Sequence, residues 1–163
     1  MNKSTLVDLV TNVTTVISHP LDVVWPHLLD QATWMNEFRI ETIEGERNAV
    51  GEVKKIMSLN GQPEIVPFFF RTMLLIPLRR FVYKAYTEIR EGKYGFTGVE
   101  VLSLNDFGRD SAITFEAYLE VQSWTMTQQE LSAFVNVGRD SSIAMWKRNF
   151  ERLASVVGGA SGV

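Results

Sequence analysis

Consecutive strand-like segments with mostly short links constrain this fold more than any other feature of the sequence. The segments are rich in Val, Ile, Thr, Tyr and Phe, which favour a pleated, half-buried backbone. Turn residues such as Asn60-Gly61 separate them. A parallel sheet needs helical crossovers, and these links leave no room for them, so antiparallel pairing is predicted. The six segments are residues 10–18, 39–45, 51–59, 80–90, 94–104 and 111–124.

Two short helices are predicted between the first strand and the second. Pro20 suits the first position of a helix, where a missing N–H is tolerated. Val24, Leu28 and Leu29 follow it at helical spacing. A second short helix is predicted over Thr33–Asn36, so the chain returns to extended structure near residue 39.

One long helix is predicted after the last strand. Thr127 and Glu130 have the spacing of a capping box, in which each side chain bonds the backbone N–H of the other residue. Apolar residues then recur every three or four positions, at Ile143, Trp146, Phe150, Leu153 and Val157. A helix over residues 128–157 would be about 45 Å long. Gly158 and Gly159 are predicted to end it.

This order of elements predicts an α+β fold in which the long helix covers one face of the sheet. An antiparallel sheet of six or seven strands cannot bury its own apolar face, so another element has to lie on it. A twisted, curved sheet contacts a straight helix along only part of its length. The remaining space is either filled by side chains or left as a cavity, and this is the physical basis for predicting a binding pocket.

Composition limits the classes of protein to which the chain can belong. With 163 residues and 45% apolar residues, one domain over residues 1–163 with a full core is predicted. The absence of Cys excludes disulfides and thiolate chemistry. Sixteen basic and 19 acidic residues give no electrostatic basis for nucleic-acid binding, so no nucleic-acid partner is predicted. No secretory signal is recognisable near the N-terminus, which predicts a cytoplasmic protein.

No motif for a metal or a cofactor is recognisable. The two histidines, His19 and His27, have no carboxylate at metal-ligand spacing, and surface or capping roles are predicted for them. The glycines at positions 92, 95 and 98 precede a strand rather than a helix, unlike those of a nucleotide-binding loop. No cofactor and no catalytic residue are therefore predicted.

The first helical region resembles the START-like superfamily, also called SRPBCC or polyketide cyclase/dehydrase-like. The resemblance is carried by Pro20, the pair Val24-Trp25, Asp30 and Trp34, and by the later segments GEVKKIMSL and FVYKAYTEI. It implies a helix-grip fold, in which a curved sheet wraps around the C-terminal helix and leaves a deep cavity. Members bind lipids, sterols, polyketides or other apolar molecules, and a minority catalyse cyclisation or dehydration. The link over residues 60–79 is longer and more apolar than the family pattern.

Strand alternation predicts which side chains face the cavity. In residues 80–90 the odd positions, from Phe81 to Ile89, are predicted to face inward, and so are the odd positions of residues 111–124. In residues 94–104, Glu100 is placed in water, which turns Thr97, Val99, Val101 and Ser103 inward. The predicted ligand-binding residues are Trp34, Phe69, Met73, Tyr83, Thr87, Val99, Phe115, Ala117, Leu119, Val135, Arg139, Ser142 and Trp146.

Some of these residues have a second interpretation. Trp34 either borders a ligand or fills the core, as most large aromatic residues do. Arg139 either faces a ligand carboxylate from the long helix or is an exposed cation near Asp140. Small residues on the same helix, including Gly138, Ser141 and Ser142, either leave room for a ligand or let the helix approach the sheet closely.

The most apolar segment is residues 65–78, IVPFFFRTMLLIPL. A helix of about 10 residues there would be apolar on nearly every side and would have to bury itself against something. Three roles are predicted as alternatives: a lid over the cavity, a contact in a homodimer, and a membrane-docking portal in which Arg79 and Arg80 meet anionic headgroups.

The predicted function is binding of an apolar small molecule of lipid, polyketide or aromatic type. The alternative is an aromatase/cyclase or dehydratase-type enzyme that uses the same cavity, which would need at least two titratable groups converging in the pocket. The third possibility is an interaction module that dimerises through residues 65–78.

Overall fold

The computed structural model describes residues 4–59, 67–87 and 94–160. In these ranges, seven strands form one antiparallel sheet in the order β1-β7-β6-β5-β4-β3-β2. The strands are β1 Thr5–Ile17, β2 Phe38–Glu44, β3 Val53–Ser58, β4 Phe68–Ile76, β5 Arg80–Thr87, β6 Tyr94–Asp106 and β7 Ser111–Ser123. The prediction of an antiparallel sheet of six or seven strands is therefore confirmed.

The two short helices lie where the sequence predicts them, with small differences at their ends. Helix α1 spans Leu21–Leu29 and begins directly after Pro20, and helix α2 spans Gln31–Trp34. The second helix thus begins two residues earlier than predicted. Leu21, Val24 and Leu28 are the buried residues of α1, one helical turn apart, and they attach this segment to the core.

Helix α3 spans Gln128–Ala160 and begins with the predicted capping box. The Thr127 N–H donates to Glu130 Oε2 at 2.8 Å, and the Glu130 N–H donates to Thr127 Oγ1 at 3.3 Å. The prediction that Gly158 and Gly159 end the helix is wrong. Glycine weakens a helix by about 1 kcal/mol but keeps its N–H, so the hydrogen-bond ladder continues through both positions.

The core lies between the concave face of the sheet, the two short helices and α3. Trp146 of α3 stacks on Phe115 of β7 with ring centroids 3.8 Å apart. Trp34 of α2 contacts Trp146 and Phe150, with centroids at 6.1 and 6.5 Å. This aromatic cluster fixes α3 against the sheet along its second half, in agreement with the predicted stripe of apolar residues.

The predicted orientation of β5 and β7 agrees with their burial, whereas that of β6 is wrong. On β6, Glu100, Leu102 and Leu104 are buried, and Val99 is 41% exposed. The large apolar residues of β6 occupy even positions and have to face the core, so Glu100, which lies between Phe96 and Leu102 on that face, is buried as well. Thr97 is exposed and Val101 and Ser103 are half-buried, and none of them belongs to the buried series.

The prediction of a helix in residues 65–78 is also wrong. Most of this segment is β4, which pairs with β3 on one side and β5 on the other. A short apolar run has no period that separates a strand from a buried helix. A register shift between Thr72 and Leu74 then leaves Met73, Leu74 and Ile76 exposed. Residues 65 and 66 lie outside the described residues, and contact of this segment with a second copy or with a membrane stays a prediction.

Within the described ranges, no helix is both long enough and apolar enough to cross a membrane.

Candidate ligand-binding site

A cavity of about 560 Å³ lies between the concave face of the sheet and residues 134–148 of α3. The sheet contributes aromatic and aliphatic side chains from five strands. These are Leu9, Phe38, Phe68, Phe70, Phe96, Leu119 and Val121. The cavity volume lies within the range of natural small-molecule sites, which are about 300–1,000 Å³.

Small residues on α3 leave the space for this cavity. Gly138, Ser141 and Ser142 line it, one turn of helix apart or less. Larger residues line it on either side of these along the helix, with Val135 before them and Trp146 after them. A straight helix crossing a curved sheet separates from it along part of its length, and here small side chains do not fill the gap.

The rim of the cavity carries an ion pair between Glu37, which lies between α2 and β2, and helix α3. Arg148 donates from Nε and Nη2 to the two carboxylate oxygens of Glu37, at 3.1 and 3.3 Å. Arg152 donates to the same carboxylate at 3.1 Å. The hydrogen bond from Arg148 is the largest influence on Glu37 and holds the pKa of its carboxyl below the ordinary value. The three charged groups at this rim, Glu37, Arg148 and Arg152, therefore all have partners.

Glu100 lies in the wall of the cavity and is the unusual group of the site. Its strand register places it directly opposite Tyr83 of β5 and Ala117 of β7. The residue is only 9% exposed, and within the described part of the chain no hydrogen bond or ion pair involves its carboxyl. Burial raises the pKa of Glu100 from 4.5 to about 8, because a charged carboxylate is poorly solvated there.

Comparison with known proteins identifies the fold. No protein-family model matches the chain, and no curated protein matches its sequence. Among solved structures, a protein of unknown function from Staphylococcus aureus is similar with a TM-score of 0.68 and 11% identity over 97% of this chain and 98% of that one. A conserved protein from Geobacillus kaustophilus is similar with a TM-score of 0.66 and 13% identity, over 93% and 97% of the two chains.

Truncated norcoclaurine synthase from Thalictrum flavum is similar with a TM-score of 0.63 and 10% identity, over 96% of this chain and 98% of that one. The chain has the helix-grip fold. The resemblance to START-like proteins is therefore confirmed at the level of fold. Likeness at this identity concerns the fold alone, and the chemistry of the helix-grip cavity depends on its own residues.

Six of the predicted ligand-binding residues line the helix-grip cavity. Thr87 is one of the polar groups among them, and its Oγ1 accepts a hydrogen bond from the Phe96 N–H at 2.9 Å. The Thr87 hydroxyl is therefore bonded to the backbone of the neighbouring strand. The six residues are Thr87, Ala117, Leu119, Val135, Ser142 and Trp146.

The other seven predicted residues lie elsewhere. Trp34, Tyr83 and Phe115 are buried in the core beside the cavity. Phe69 stacks on Tyr86 with centroids 5.3 Å apart, and Met73 and Val99 are exposed. The side chain of Arg139 is 45% exposed and lies 3.7 Å from Asp140, as its second interpretation expected.

Sequence reasoning missed Glu100 and the aromatic group of Phe68, Phe70 and Phe96. The rings of this group contact one another, with Phe68 5.3 Å from Phe70 and 6.0 Å from Phe96. The apolar residues at even positions of β6, Phe96, Leu102 and Leu104, predict correctly that the even positions face the core. Phe68 and Phe70 belong to β4 and not to the helix predicted in residues 65–78.

A second polar cluster lies on the same face of the sheet, next to α2, and none of its residues lines the helix-grip cavity. Glu52 is fully buried and accepts hydrogen bonds from Thr42 Oγ1 at 2.6 Å and the Asn48 N–H at 2.8 Å. Lys54 Nζ lies 3.5 Å from Glu52 Oε2 and donates to Gln31 Oε1 at 3.0 Å.

The cluster extends to the core through Gln31. Its Nε2 donates to the hydroxyl of Tyr83 at 3.4 Å. Burial is the largest influence on both ends of the cluster. It lowers the pKa of Lys54, and it raises the pKa of Tyr83. Tyr83 therefore stays a neutral phenol beside Glu100.

In the described residues, no group of three or more His, Cys, Asp and Glu side chains lies close enough together to hold a metal ion.

Proposed function

We propose that this protein binds an apolar small molecule in the helix-grip cavity. The observation that carries the proposal is the volume of about 560 Å³ held open by Gly138, Ser141 and Ser142 opposite a wall of aromatic and aliphatic side chains. Protein interiors are otherwise packed to crystal-like density, with few voids larger than a water molecule. A cavity of this volume, lined mainly by apolar side chains and next to a well-packed core, is typical of a small-molecule binding site.

Filling the cavity from the helix is expected to abolish ligand binding without loss of stability. Gly138 lines the cavity, and a Cβ added there would meet no atom within 4 Å. Gly138→Leu therefore adds a side chain inside the cavity, and better helix propensity stabilises α3 by about 0.5–1 kcal/mol. We expect at least a tenfold loss of affinity for the fluorescent apolar probe N-phenyl-1-naphthylamine, measured by titration.

Gly158→Leu is the matched control. Gly158 belongs to the same helix but does not line the cavity, and a Cβ there also meets no atom within 4 Å. This variant should bind the probe as the wild type does. Equal affinity of the two variants would place the binding site elsewhere, and failure of the wild-type protein to bind the probe, together with no co-purified ligand in native mass spectrometry, would contradict the proposed function.

A catalytic use of the same cavity is the second candidate, and the position of Glu100 favours it. A carboxyl with a pKa near 8 exchanges protons efficiently near neutral pH. The ionised carboxyl can remove an α-proton from a bound ketone, which leaves an enolate and a neutral carboxyl. Return of a proton to carbon regenerates both groups.

This second candidate has a direct test that needs no natural substrate. In D₂O, the wild-type protein should exchange the α-protons of 2-tetralone for deuterium at least ten times faster than the Glu100→Gln variant, as followed by proton NMR. Equal rates for the two proteins would leave only the binding role.

A further inference from the structure

The charged groups that line the helix-grip cavity leave one carboxyl without a counter-ion. Among the described residues, the charged side chains in its lining are Glu37, Glu100 and Arg148. Glu37 and Arg148 are bonded to each other at the rim, at 3.1 and 3.3 Å. Glu100 is buried in the wall and has no partner among these residues. A buried carboxyl normally has hydrogen bonds or a cation, and this one has neither within the described ranges.

We propose that the ligand of this cavity is an apolar molecule with one protonated amine, and that Glu100 is the counter-ion of that amine. The inference rests on the proposed binding function and specifies the class of ligand. The apolar part occupies the space beside Gly138, Ser141 and Ser142, and the amine lies against the sheet wall.

The chemistry of the wall favours an ammonium group over a neutral one. The two oxygens of a carboxylate offer about four acceptor sites, and an ammonium offers three N–H donors where a hydroxyl offers one. An alkylamine, with a pKa of about 10, is a stronger base than the Glu100 carboxyl, so the proton resides on nitrogen in the complex. The attraction between opposite charges is strong in such a site because little water screens it.

Aromatic rings around the same cavity provide a second attraction for a cation. Phe70, Phe96 and Trp146 line it together with Glu100. The face of an aromatic ring carries partial negative charge and attracts ammonium groups. An anionic ligand would find no unpaired cation in the described lining, because Arg148 is bonded to Glu37. Charge complementarity therefore selects against acids and for amines.

Three naphthalene probes of nearly equal shape test the inference. They are 2-(1-naphthyl)ethylamine, 2-(1-naphthyl)ethanol and the carboxylate of 1-naphthaleneacetic acid, called the acetate below. Their dissociation constants are measured by displacement of N-phenyl-1-naphthylamine at pH 7.5. We expect the amine to bind at least ten times more tightly than the alcohol, and the acetate to bind more weakly than both. In Glu100→Gln the amine should lose this advantage and bind within about threefold of the alcohol, whose own affinity changes little.

Glu120→Gln is the matched control, because it removes an exposed carboxylate from the outer face of the neighbouring strand. It should keep the wild-type preference for the amine. Equal affinity of the wild-type protein for the amine and the alcohol would overturn the amine inference while leaving the proposed binding function intact. Lack of binding by all three probes and by N-phenyl-1-naphthylamine would overturn the binding function itself. The comparison among probes on the wild-type protein needs no variant, so a folding defect in Glu100→Gln does not weaken it.

Discussion

Replacing Glu100 by Gln is expected to stabilise the protein at pH 8 far more than at pH 5. Burial raises the pKa of this carboxyl from 4.5 to about 8. The unfolded chain releases the Glu100 proton near pH 4.5, whereas the folded chain keeps it until about pH 8, so rising pH favours the unfolded chain across this window. At about 1.4 kcal/mol for each pH unit, the wild-type protein loses up to about 5 kcal/mol from this group, and the Gln variant has no such proton to lose.

The measurement is the free energy of unfolding from urea titrations at pH 5, 6.5 and 8. The difference between Glu100→Gln and the wild type should grow at each step, while Glu120→Gln should follow the wild type at all three pH values. Parallel loss of stability in the wild type and Glu100→Gln would show that the carboxyl is not buried in the folded protein.

The second large effect is expected at the buried pair of Glu52 and Lys54. Lys54 Nζ lies 3.5 Å from Glu52 Oε2, and both side chains are almost wholly inaccessible. Lys54→Met leaves the Glu52 carboxylate buried without a cation, and breaking a buried pair in this way destabilises by about 3–5 kcal/mol. The double variant Glu52→Gln/Lys54→Met removes both charges, so we expect it to recover most of that loss.

Urea unfolding of the wild type, both single variants and the double variant gives the coupling energy of the pair. Lys55→Met is the control, since Lys55 is the next residue of β3 and is only half-buried. Its effect should stay below about 1 kcal/mol. Additive effects of the two single variants in the double variant would mean that Glu52 and Lys54 do not interact in the folded protein.

Local patterns predicted the elements whose period or end signals are unambiguous. Short turns between strands excluded a parallel sheet, and the Thr127–Glu130 capping box fixed the beginning of α3. The apolar stripe of α3 gave the residues that pack on the core, including Trp146 and Phe150. These features are determined by residues a few positions apart in the chain, so a local sequence pattern is enough to predict them.

Features that depend on the rest of the fold were not predictable in the same way. The orientation of β6 was derived from the charge of Glu100, and that rule fails where a strand has to bury Leu102 and Leu104 on the same face. Residues 68–76 are apolar almost throughout, so their period could not distinguish a strand from a helix. Because of these two errors, the residues of β4 and β6 that line the cavity were not predicted, and Glu100 was placed in solvent.

The order of the strands has a consequence for how the protein is made. The first strand lies at the edge beside the last one, so that Thr5 pairs with Ser123 and Ile17 with Ser111. During synthesis, β1 leaves the ribosome long before β7 exists, and its thirteen residues of edge have no partner until then. Contacts between such distant parts of a chain form slowly. An unpaired strand is also a template for aggregation. The nascent chain is therefore most in need of protection by chaperones in the interval between the emergence of these two strands.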